Sequence, residues 1–130
     1  MKNWKYFIPA VLWVVMIFIL CTLPGKDIPT TPFLEKIHFD KFVHFGLFGG
    51  IVFFFSLAIY QKKKYVSAGT LLLFVVLSAA YGVAIEFIQK YWAIDRSFDL
   101  YDALADTLGA IAGVWVFKLF QKYFLSKDAK

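Results

Sequence analysis

The chain holds one cysteine, two histidines and no G-x-S-x-G segment. A lone Cys21 excludes a disulfide framework within the chain and any four-thiolate metal site, which leaves packing as its role. Neither histidine stands in an H-E-x-x-H or similar ligand spacing, so no metal and no cofactor is called for. His38, His44, Glu86, Asp99, Asp102 and Asp106 are nonetheless of types able to ligate a divalent ion. Nucleophilic catalysis lacks support as well, because Ser97 beside Arg96 has no evident base. Internal repeats and low-complexity tracts are absent. Acidic residues are scarce, nine against fourteen Lys and Arg. The basic surplus still forms no stripe of the kind that follows a phosphate backbone; the lysines flank apolar runs, and nucleic acid is not an expected partner.

What the chain has in abundance is apolar surface. Hydrophobic residues make up 61% of it, 16 of them Phe, and the mean hydropathy is +0.68. A soluble fold of this size cannot bury that much, so the membrane lipid bilayer is the expected solvent. Four runs, 7–23, 42–60, 65–89 and 103–124, meet the roughly 20 residues that a membrane-spanning helix needs. The fold class expected is all-α: a polytopic, four-transmembrane-helix bundle forming a single domain over 1–130.

The first run ends at Cys21-Thr22-Leu23-Pro24 with no small-x-small cleavage site, so it reads as a retained anchor and not a signal peptide. Pro24 and Gly25 stop it. An outer loop follows, in which 33–39 mixes apolar and charged residues in the manner of an interfacial segment before Asp40 opens the second span. Only Gln61 and three lysines join the second span to the third, so these two are antiparallel neighbours. With the N-terminus inside, nine Lys and Arg lie on the cytoplasmic side (2, 5, 62, 63, 64, 118, 122, 127 and 130) against five outside (26, 36, 41, 90 and 96). That bias orients both termini to the cytoplasm. Eight of the nine acidic residues then face outward, with Asp128 alone inside.

Charge at a membrane boundary is costly, and five of the nine acids fall between Glu86 and Asp106. At about 100° per residue, Asp99, Asp102, Asp106, Gly109 and Gly113 share one arc of roughly 80°. Gly109 and Gly113 form a small-xxx-small pair that lets another backbone approach, so the acidic face is also a packing face. Ala79, Gly82, Glu86 and Gln89 share a similar arc on the third span. On the second, Asp40 and His44 are spaced i and i+4, a distance at which the carboxylate can orient the imidazole. Arg96 is within chain reach of Asp95, Asp99 and Asp102, either locking the loop or presenting a fork to an anion. Asp106 lies one turn deeper than Asp102, and its charge most needs a compensating partner among Arg96, Lys41, His44 or a cation. Tyr91, Trp92, Phe98 and Tyr101 read as an interfacial aromatic belt.

Three segments, Asp40-Lys41-Phe42-Val43-His44-Phe45, Glu86-Phe87-Ile88-Gln89 and Arg96-Ser97-Phe98-Asp99-Leu100-Tyr101-Asp102, followed by Gly109 and Gly113, together resemble the VanZ-like family of bacterial integral membrane proteins. The resemblance spans residues 20–117. It departs at Asp106, where the family pattern usually carries Asn. It implies a bacterial inner-membrane location, and the family's namesake is associated with resistance to the glycopeptide teicoplanin. The residues add a place: an outward polar pocket of Asp40, Lys41, His44, Glu86, Gln89, Arg96, Asp99 and Asp102. The preferred reading is a non-enzymatic protein binding an envelope lipid or a lipid-linked cell-wall precursor. The alternatives are an intramembrane hydrolase or transferase, with Glu86 or Asp102 as base and His44 as its partner, and a proton-linked carrier using Glu86 and Asp106. Four short helices without an inverted repeat argue against the carrier.

Overall fold

A computed structural model describes residues 3–126 as an all-helical protein with no strand among them. Lys2, Lys127, Asp128 and Lys130, which enter the charge bias, lie outside the described residues. A 3-10 turn over Asn3–Phe7 leads into α1 (Ile8–Thr22); a short turn, Gly25–Asp27, precedes the five-residue α2 (Pro32–Lys36). Three long helices complete the chain: α3 (Phe39–Lys63), α4 (Ala68–Tyr91) and α5 (Leu100–Phe120), the last continuing as a π-turn through Leu125. Four helical stretches of 20, 25, 24 and 26 residues are long and apolar enough to cross a membrane. Helix is the form such runs must take, since in hydrocarbon each backbone N–H and C=O has to be satisfied within its own segment.

The ends of these helices differ from the sequence expectations for local reasons. The second span was expected at 42–60, but α3 begins at Phe39 and continues to Lys63, the Lys41 charge in its first turn being met by Asp99 and Asp102 and its last lysines remaining exposed. Lys64 closes it in the left-handed conformation at φ 60°. The third span begins at Ala68 and not at residue 65, because Ser67 caps α4 by accepting the Thr70 N–H at 3.1 Å. Asp99 caps α5 in the same way through the Tyr101 N–H at 2.8 Å, moving that helix's start from residue 103 to Leu100.

α3 stands at the centre of the bundle, against α1, α4 and α5. Its seam with α5 is made by glycine. A Cβ on Gly49 would come within 2.8 Å of the Gly109 carbonyl oxygen, one on Gly109 would collide with the Phe45 carbonyl, and one on Gly113 with that of Gly49. The two backbones therefore touch, and anything projecting from the Phe45 end of this seam is held at short range. Where α1, α3 and α4 meet, Ile17, Cys21, Phe48, Ile51 and Ile85 form an apolar core cluster. Polar side chains tie the helices by donating to backbone carbonyls of neighbouring helices: Trp13 to Leu47 at 2.8 Å, Ser78 to Phe48 at 3.1 Å, Tyr81 to Val14 at 3.1 Å and Gln89 to Cys21 at 3.0 Å. The outward faces carry large exposed apolar side chains, among them Leu12, Leu72, Leu108 and Trp115, as lipid-facing surface requires.

Candidate functional site

The polar residues of α3, α4 and α5 meet at the end of the bundle where α2 and the loop between α4 and α5 also lie. The loop that follows α1 and the loop between α4 and α5 are joined there. Gly25 N–H donates to the Ile94 carbonyl at 3.0 Å, and a Cβ at Gly25 would stand 2.5 Å from the Asp95 oxygen. Asp95 itself is in the left-handed region at φ 57°, which turns the chain toward α5.

Two charge clusters sit one above the other. In the outer one, the Lys41 ammonium donates to Asp40 at 3.2 Å, to Asp99 at 3.0 Å and to Asp102 at 2.9 Å. Three carboxylates surround one cation, matched by the three N–H bonds that an ammonium offers. Partial burial pushes the Asp99 carboxyl up, but the Lys41 hydrogen bond and the Tyr101 N–H outweigh it, and the group sits below the ordinary aspartate value.

The inner cluster is His44, Glu86 and Asp106, all buried. His44 Nδ1 and Asp106 Oδ1 share a hydrogen bond of 2.8 Å, while His44 Nε2 faces Asp102 Oδ2 at 3.8 Å. Glu86 Oε2 accepts the Asp99 backbone N–H at 2.8 Å. Glu86 Oε1 and Asp106 Oδ2 have no hydrogen-bond partner among the described residues. Asp106 is seated against Gly82, where a Cβ would come within 2.6 Å of Oδ2. The glycine at this level of α4 makes the room that the carboxylate occupies.

Beside these clusters opens a cavity of about 630 Å³. Leu20, Leu23, Val43 and Leu47 give it an apolar wall, while Asp27, Glu35, Asp40, Asp95, Arg96, Asp99 and Asp102 give it a charged one. Of the eight residues expected in a ligand pocket, Asp40, His44, Gln89, Arg96, Asp99 and Asp102 line it. Lys41 and Glu86 are not lining residues: the first is surrounded by carboxylates and the second is wholly buried. Two expected pairings give way to others. His44 is oriented by Asp106 across the α3–α5 seam and not by Asp40, which pairs with Lys41. Nor does Arg96 lock Asp99 and Asp102; Lys41 does, and Arg96 forms no ion pair among the described residues. The contributions of Asp27 and Glu35 to the cavity were not foreseen, because the fold of a 15-residue loop leaves no periodic trace.

The sequence pattern that defines the VanZ/LLP1 family matches residues 5–121. No curated protein and no solved structure matches the chain.

Proposed function

This chain belongs to the VanZ/LLP1 family, and from that premise we propose that it is a single-domain, multi-pass protein of the bacterial inner membrane whose cavity binds an envelope lipid or lipid-linked cell-wall precursor. The orientation proposed puts both termini in the cytoplasm and the cavity outside, on the Lys and Arg bias. The observation that carries the binding role is Arg96, a guanidinium lining the cavity with no ion pair among the described residues, in a cavity that Leu20, Leu23 and Leu47 also line. A planar fork of donors suits a phosphate bidentately. Asp27, Glu35 and Asp40 suit headgroup hydroxyls or an amine, which donate to carboxylates. The apolar wall suits the start of an acyl or polyprenyl chain. Lys41 has no part in anion binding here, since three carboxylates already occupy its N–H bonds. The family's association with teicoplanin resistance supports an envelope ligand.

Native mass spectrometry of the gently extracted protein tests this reading. A lipid adduct that Arg96→Gln removes, in protein that still melts cooperatively, is the expected result; an adduct unaffected by Arg96→Gln, or none at all, refutes it. A second reading, transfer or hydrolysis on the bound lipid, is favoured by one observation: Asp102 and His44 both reach the cavity lining and face each other at 3.8 Å.

A further inference from the structure

The two clusters at the outer end differ in how their negative charge is met. Asp40, Asp99 and Asp102 converge on the Lys41 ammonium, so the outer cluster contains its own cation. In the inner cluster, two fully buried carboxylates share a single imidazole, and one oxygen of each has no protein donor among the described residues. Burying a carboxylate oxygen without a partner is costly, and two such carboxylates in one cluster compound it. One ligand atom each from His44, Glu86 and Asp106 lies within 4.8 Å of the other two.

We infer that His44, Glu86 and Asp106 form a binding site for a divalent transition-metal ion, held between α3, α4 and α5. One neutral imidazole and two carboxylates match the charge of such an ion and make up a nitrogen and oxygen donor set typical of Zn²⁺ or Mn²⁺. The unpartnered oxygens, Oε1 of Glu86 and Oδ2 of Asp106, are on two of the three donors. Gly82 lies one helical turn before Glu86, and Oδ2 of Asp106 is directed at that stretch of α4. The ion replaces the proton that His44 Nδ1 and Asp106 Oδ1 now share over 2.8 Å. That leaves Nε2 facing the Asp102 carboxylate, the side on which metal-bound imidazoles commonly have an orienting acceptor. The cavity adjoins the site through His44 and Asp102, which line it, and supplies a route of entry. The site requires no lipid in the cavity and stands apart from the binding role above.

The test uses the full chain, free of any affinity tag, in detergent without added lipid, stripped with chelator and titrated with Zn²⁺ or Mn²⁺ alone. Elemental analysis after desalting is expected to find about one equivalent bound, with melting raised by several degrees. Glu86→Gln and Asp106→Asn are each expected to weaken uptake at least tenfold while melting no lower than the stripped parent. Failure of the unaltered chain to retain stoichiometric Zn²⁺ or Mn²⁺ overturns the inference, as does undiminished uptake in both variants. Mg²⁺ stabilising the protein where Zn²⁺ and Mn²⁺ do not overturns the metal class. Should the carboxylate variants fail to fold, Cu²⁺ bound to a His38→Asn chain decides: nitrogen hyperfine coupling from one imidazole supports the site, and its absence refutes it.

Discussion

Lys41 Nζ donates to Asp102 Oδ1 over 2.9 Å, fastening the first turn of α3 to the first turn of α5. Asp102 is largely buried, so its charge depends on this partner. Lys41→Met keeps the aliphatic stem, removes the ammonium and leaves Asp99 and Asp102 facing each other. It is expected to cost about 3 kcal/mol, the usual scale for breaking a buried pair by removing one partner. Asp40→Asn, at the exposed end of the same cluster, is expected to cost less than about 1 kcal/mol. Chemical unfolding of both variants in detergent checks the contrast, and equal losses would disprove it.

The glycine seam makes a second prediction. Gly109→Ala would drive a methyl into the Phe45 carbonyl, and backbone cannot move aside as a side chain can. A loss of about 2 kcal/mol or more is expected from such overpacking. Gly46→Ala is the control on the same pair of helices, because a Cβ there meets nothing within 4 Å. It is expected to be neutral or to stabilise α3 by about 0.5–1 kcal/mol through helix propensity. Melting temperatures measured side by side distinguish the two sites.

A third prediction concerns pH. Asp99 is held below the ordinary aspartate value in the folded protein, so the folded state binds a proton less readily than the unfolded chain. Its stabilising contribution is therefore present above the unfolded value of about 4 and is lost as pH falls through the lower folded value. Asp99→Asn retains a good cap for α5 but cannot titrate. Between about pH 5 and pH 2, melting of the parent is expected to fall more steeply than that of the variant. Parallel curves would show that Asp99 is not a source of the acid response.

Topology is tested by labelling. In a Cys21→Ala background, a cysteine at Ser97 is expected to react with a membrane-impermeant maleimide in intact cells, while one at Lys63 reacts only after the cytoplasmic side is opened. The opposite pattern would invert the proposed orientation and turn the cavity inward.

Much of the architecture was legible in the residues. Hydrophobic runs of about 20 residues leave the backbone only one way to satisfy itself in lipid, so four spanning helices follow almost from counting. Periodicity also placed Glu86 and Gln89 on one face of the third span and Asp99, Asp102 and Asp106 on one face of the fourth. Helix ends were read less well, because capping by Ser67 and Asp99 extends or trims a helix independently of hydrophobicity. Loop residues such as Asp27 and Glu35 gave no periodic signal at all, yet both reach the cavity.

The sequence by itself determined how many long apolar helices there are, which faces carry polar side chains, and that those faces lie near one end of the bundle. Which charge meets which was decided by the tertiary structure. Spacing along one helix pointed to Asp40 for His44, and proximity in the loop pointed to Arg96 for Asp99 and Asp102. Contact between α3 and α5 at Gly49, Gly109 and Gly113 instead sets the height of one helix against the other, bringing Asp106 to His44 and Lys41 to Asp102. Pairing between helices depends on axial offset and rotation, and these come from how closely two backbones can pack, a quantity that no single helix contains.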